Sequence, residues 1–114
     1  MNKKELSGKY AELAIALQKA VEVGEKSAEN VVDDGNCNMD APAIKLPRWR
    51  ESGILEAAKR AGVHCTDWTI FGEKYYVFIV PSLAHANARS VMAEAMCASL
   101  KADGYEAILY CQGD

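Results

Sequence analysis

Residues 36–112 pass through extended and helical patterns in the order strand, helix, strand, strand, helix, strand, and each segment stops at its own turn signal. No other feature of the chain limits its folding as much. A chain of 114 residues has length for one domain. Within one domain, short and right-handed connections leave that element order few ways to build a sheet.

The segments are marked residue by residue. Cys37–Leu46 is extended, and Pro42 inside it points to an edge, a bulge or an irregular start, because proline has no N–H for a ladder. Pro47 suits the first turn of a helix over about 48–61, with Trp49, Ile54, Ala57, Ala58 and Ala61 as its inner stripe and Gly62 as its stop. Val63–Phe71 carries the Thr, Trp, Ile and Phe of a strand, and Gly72-Glu73 reads as the hairpin turn after it. Lys74–Val80 is the strongest strand signal, apolar on both alternating faces from Tyr75 onward, so both faces of that strand should be covered. Pro81 ends it. A polar loop then leads into a helix over about 86–102, with Asn87 as N-cap and Ala88, Val91, Met92, Ala95, Met96 and Ser99 facing inward. Asp103-Gly104 closes that helix, and 105–111 is the last strand.

Ahead of these lies a proline-free stretch, residues 3–31, rich in Ala, Glu, Lys and Leu and therefore helical by propensity. Leu6, Tyr10, Leu13, Leu17 and Ala20 recur at alternating spacings of four and three, an apolar seam that Gly24, Ser27 and Val31 extend weakly. Ile15 and Val23 widen it. Such a helix would be ~40 Å long, more than the width of a small domain. It either packs on its own domain or overhangs and pairs with a second copy. The overhang points to a homodimer with Leu6, Tyr10, Leu13 and Leu17 as its seam.

These elements predict an α+β fold: an N-terminal helix (1–32) followed by a βαββαβ core (36–112), the split βαβ or ferredoxin-like arrangement. The sheet should be antiparallel in strand order 4-1-3-2 with two helices on one face. The leading helix is expected to cover the other face.

The net charge of −3 excludes nucleic-acid binding by the whole surface, though not by a local patch. Met1-Asn-Lys-Lys-Glu-Leu6 has no apolar core of a signal peptide, and the longest apolar run, Tyr75–Val80, is far too short to span a bilayer. A cytoplasmic protein with no membrane contact is expected. Cys37, Cys65, Cys97 and Cys111 form no CxxC, so reduced thiols are expected and a zinc site is not. No metal, cofactor or catalytic signature stands out.

The topology gathers two groups of residues. At one end, His85, Asn87 and Arg89 face Asn36 and Asn38, where a helix N-terminus and an arginine suit an anion or other ligand. Cys37 with His85 and Asp40 has the residue types of a thiol nucleophile, base and orienter, without a family-specific flanking pattern. Asp33, Asp34, Asn36, Asn38 and Asp40 offer oxygens to a cation but fail the EF-hand spacing. At the other end, Lys45, Arg48, Arg50, Lys74 and Lys101 gather around Trp49, suited to a phosphate backbone or an acidic protein surface. Trp68, Tyr76 and Tyr110 have rings that stack on bases in RNA-binding sheets of this topology, but the third strand lacks their Gly-aromatic pattern, and core packing is the preferred reading.

The stretches Asp34-Gly-Asn-Cys-Asn-Met-Asp40 and Asn87-Ala-Arg-Ser-Val-Met-Ala-Glu-Ala95 resemble small uncharacterised proteins of bacterial phages and mobile elements. The resemblance implies no established activity and no functional residues. It implies a protein that works by binding a host or phage component, as anti-CRISPR inhibitors do. The expected function is therefore a non-enzymatic interaction protein with an unidentified protein partner. A nucleic-acid or nucleotide-binding module and a cysteine-based enzyme are the alternatives.

Overall fold

The structure, a computed structural model, describes residues 8–29, 41–80 and 86–110, with the backbone alone at 86–90. Its elements are α1 (Lys9–Ser27), β1 (Ala41–Ile44), α2 (Glu51–Ala61), β2 (His64–Ile70), β3 (Glu73–Ile79), α3 (Ala86–Ala102) and β4 (Ala107–Tyr110). The four strands form one antiparallel sheet in the order β2-β3-β1-β4, the expected 4-1-3-2 read from the other edge. The protein is thus α+β, with three helices and a four-stranded antiparallel sheet among the described residues. The predicted turn at Asp33–Asn36 and the start of the first predicted strand lie outside them.

Three local expectations are corrected. The β2–β3 hairpin closes on the pair Ile70↔Glu73, so its turn is Phe71-Gly72, one residue earlier than predicted. Both turn residues have positive φ (53° and 78°), the geometry whose twist matches the flanking strands. That single step fixes the faces: Trp68, Tyr75 and Val77 share one side, Asp67, Tyr76 and Phe78 the other. Second, α2 starts at Glu51 rather than near Arg48, because Arg48 is left-handed (φ 69°) and Arg50 is extended. Trp49 accordingly lies outside the helix, while Ile54, Ala57 and Ala58 are its buried stripe. Third, Pro42 sits in β1, a central strand. Its ladder to β3 stops at Ala43, so the missing N–H interrupts no described pair on that side.

The leading helix is also placed differently. It lies on α2 and α3, most extensively on α3, and not on the far face of the sheet. Small residues make this approach close. A Cβ on Gly24 would stand 2.7 Å from Met92 Cγ and 2.8 Å from Met96 Cγ of α3. A Cβ on Gly53 of α2 would stand 2.4 Å from Cδ1 and Cε1 of the Tyr10 ring. Tyr10 is held there on two sides: its hydroxyl accepts the Arg50 N–H at 2.8 Å, and its ring meets Trp49 edge-on at 5.2 Å between centroids. Gln18 Nε2 donates to the Arg60 carbonyl at 3.1 Å, and Lys19 pairs with Asp103 at 2.9 Å. The predicted seam therefore meets its own chain. Leu13 and Leu17 are 0% exposed and offer nothing to a second copy; Leu6 lies outside the described residues. Ile15 and Val23, off the seam, are exposed.

The core between sheet and helices holds Ile44, Ile54, Tyr76, Phe78, Met92, Met96, Cys97 and Leu100 together with Leu13 and Leu17. Among the described residues no helix packs on the opposite face of the sheet, yet Ala41, Ala43, Tyr75 and Val77 are buried there. Ile70, Ile79, Ile108 and Tyr110 pack against them, and Trp68 on one edge strand reaches toward Tyr110 on the other. The Trp68 and Tyr110 rings approach to 5.9 Å between centroids, across two intervening strands. The register puts Ala43 and Val77 between them, and the right-handed twist of a sheet lifts opposite corners toward one another.

The packing makes three stability predictions. Gly53→Ala should cost ~2 kcal/mol even though alanine favours helix, because the methyl displaces Tyr10. Gly24→Ala should cost ~1–2 kcal/mol, since the methionines can partly yield. Ser99→Ala should be neutral or raise stability by up to ~1 kcal/mol, because the Ser99 hydroxyl is buried without a partner. Urea denaturation checks all three, and a neutral Gly53→Ala would show that Tyr10 is not docked as described.

Candidate interaction surface

The basic cluster predicted around Trp49 is partly assembled. Lys45, Arg48, Trp49 and Lys74 line a cleft of about 440 Å³ with Leu46, Pro47, Glu73 and Tyr76. The backbone explains it: the chain leaves β1 at Ile44, turns through Pro47 and the left-handed Arg48, and returns as α2 beside the start of β3. Arg50 adjoins the cleft as the N-cap of α2, and Lys101, in the last turn of α3, does not line it.

Electrostatics make this cleft a weak anion site. Lys45 is in an ion pair with Glu73 and stands 4.0 Å from Glu106. Lys74 is 3.7 Å from Asp67 and lies over the Tyr76 ring at 5.2 Å. Both ammonium groups are held above the ordinary lysine range, Lys45 chiefly by its bond to Glu73 and Lys74 chiefly by its bond to Tyr76. They stay charged, but their charge is answered at home. One face of Trp49 is taken by Lys9, whose Nζ lies 4.6 Å from the ring centroid. Arg48 and Arg50 remain exposed, and their guanidinium groups meet no partner among the described residues.

The open face of the sheet has the opposite character. By register it presents His64, Thr66, Trp68 and Ile70 from β2, Tyr75, Val77 and Ile79 from β3, Ala41 and Ala43 from β1, and Ile108 and Tyr110 from β4. Among the described residues its one lysine or arginine is Lys45, at the end beside Glu73 and Glu106. Trp68 is 46% exposed, and Phe71, at the tip of the hairpin, is 95% exposed. Of the three rings considered for stacking, Trp68 and Tyr110 lie on this face and lean on each other, whereas Tyr76 faces the helices and is buried. The sequence pattern pointed to Trp68 and Tyr110 only as core residues. Phe71, the end of a strand by sequence pattern, stands at the hairpin tip because the turn falls one residue earlier.

The other predicted site lies outside reach. Cys37, Asn36, Asn38, Asp33, Asp34, Asp40, His85 and Cys111 fall outside the described residues, and Asn87 and Arg89 are described in backbone only. Ala41 does pair with Tyr110, so the first and last strands run side by side as expected. Of the remaining thiols, Cys65 is pushed up to about 12 by burial, with Asp67 and Glu51 adding to the effect. Burial also raises Cys97, against the pull of Lys101. A thiol that holds its proton is no nucleophile. Among the described residues no three His, Cys, Asp or Glu side chains gather as metal ligands, and no helix is long and apolar enough to cross a membrane.

In comparisons with protein-family models, curated proteins and solved structures, nothing matches this chain.

The Cys65 environment predicts a slow thiol. At pH 8, alkylation of Cys65 in the folded protein should be ~1000-fold slower than in the urea-unfolded chain, as timed by mass spectrometry. The linkage has a definite sign. The folded state keeps a proton that the unfolded chain releases near pH 9, so the Cys65 contribution to stability is complete below that and is lost as pH rises toward about 12. Labelling of folded Cys65 as fast as that of a free thiol would contradict this burial.

Proposed function

We propose that this chain is a non-enzymatic interaction protein that docks a protein partner through the open face of its sheet. The element order, the strand order and the placement of α2 and α3 on one side support a ferredoxin-like assignment, with α1 added on the helical side. The observation that carries the functional reading is the composition of the face on which no described helix packs: aromatic and aliphatic side chains reaching across four strands, with Lys45 paired to carboxylates. Proteins seldom leave a contiguous apolar face open without a use for it, and aromatic anchors with a charge-poor centre suit a protein surface. Phosphate backbones need unpaired cations around the rings. Here β1 offers alanines at its centre, and Tyr75 is buried among its neighbours.

The free thiols of Cys65 and Cys97 fit a reducing, cytoplasmic setting. The resemblance of the stretch from the 34–40 motif to the 87–95 motif to phage and mobile-element proteins favours a partner among host or phage components, with an anti-CRISPR-like inhibitor as the form this would take.

Substitution separates this reading from nucleic-acid binding. Trp68→Glu and Thr66→Lys, both on the open face, should reduce capture of a host protein at least tenfold while far-UV circular dichroism stays unchanged. Arg48→Glu with Arg50→Glu should leave capture intact. Single- and double-stranded DNA and RNA should show no mobility shift at low salt. A salt-dependent shift that the double arginine variant abolishes would instead establish the cleft as a nucleic-acid site.

A further inference from the structure

β2 is an outer strand of the sheet, seven residues paired to β3 in unbroken register. Its two-residue turn makes Ile70↔Glu73 a hydrogen-bonded pair, and alternation then directs the backbone groups of Trp68, Thr66 and His64 toward β3 as well. The N–H and C=O groups of Cys65, Asp67 and Thr69 point to the outer edge, where they meet no backbone partner among the described residues. Natural sheets blunt such an edge with proline, lysine, a bulge or a covering element. His64-Cys-Thr-Asp-Trp-Thr-Ile70 has no proline, lysine or bulge, and its one carboxylate, Asp67, already faces Lys74. Beside it, Trp68 and Phe71 are the exposed aromatics.

We propose that β2 pairs antiparallel with β2 of a second copy, about a two-fold axis at Trp68, joining two sheets into one. The strand is self-complementary in this register and in few others. An axis passing between two residues would set the open face of one copy beside the helices of the other. An axis at Asp67 would oppose two like charges, which destabilises a cross-strand pair. An axis at Thr66 would leave Thr69 and Ile70 beyond the partner strand. With the axis at Trp68, Asp67 meets Thr69, Thr66 meets Ile70, and the two Trp68 backbones face each other at a non-hydrogen-bonded position, where opposed Cα atoms stand closest, while each ring stays over its own sheet beside Tyr110. The outward groups of Asp67 and Thr69 become hydrogen-bonded pairs. The dimer thus uses the sheet edge, not the helical seam, and it doubles the open face without covering it. Its test reads mass rather than partner capture, so the pairing and the proposed docking can each fail alone.

Size-exclusion chromatography with light scattering on the full chain should give twice the 12.4 kDa protomer mass at micromolar concentration. Thr69→Pro removes an outward N–H, leaves the β2–β3 ladder intact, and should yield a folded monomer. Trp68→Cys should form a covalent dimer on mild oxidation, since the facing Cα atoms stand at a separation a disulfide can bridge; Thr66→Cys and Asp67→Cys should not exceed the wild type. Should Thr69→Pro fail to fold, the cysteine series still decides the register. A wild-type monomer up to millimolar concentration, or cross-linking at position 67 in place of 68, would overturn the proposal.

Discussion

The docking of Tyr10 is the contact on which the rest of the structure depends. Its ring occupies the space a side chain at position 53 would need, its hydroxyl takes the N–H of Arg50 at the start of α2, and Trp49 closes on its edge. Gly24 makes the matching approach to α3 at the other end of α1. With both ends seated, Leu13 and Leu17 enter the common core. An α1 held this way cannot also reach the far side of the sheet, and no described helix packs there.

An uncovered sheet face ordinarily exposes apolar surface at a cost of roughly 25 cal/mol per Å². Here the strand composition limits the cost. Alanines at 41 and 43 keep the centre low, and Trp68 and Tyr110 lean over it from opposite edges. The result is a shallow apolar surface with the Trp68 and Tyr110 rings above it. The basic end of the sheet has the reverse logic. Its lysines are matched by Glu73, Glu106 and Asp67, and its tryptophan is covered by Lys9, so residues that look like a cationic site in the sequence largely serve one another.

Much of the fold was legible from local chemistry. Gly62 stops α2 in the left-handed conformation that glycine accepts most readily, and the β-rich run 75–79 is the strand it looks like. The order of the strands follows from short, right-handed connections. The site was less legible. The turn was read one residue late because Gly72-Glu73 and Phe71-Gly72 both contain the glycine, and only pairing tells which frame closes the hairpin. That step decides whether Phe71 ends a strand or stands at a tip. Trp49 was read as helix because proline commonly begins one, but Tyr10, distant in sequence, takes the Arg50 N–H and delays the helix to Glu51.

The sequence by itself determined the elements, their order and the apolar demand of the third strand, because propensity, turn chemistry and periodicity act over a few residues. Tertiary structure alone decided which surfaces those elements share. A seam of Leu13 and Leu17 is equally good against a neighbour helix or a second copy, and the choice fell to a hydroxyl and two glycines that no periodicity reveals. The same holds for Trp68 and Tyr110, which meet because the sheet twists and not because anything near either of them in the chain requires it.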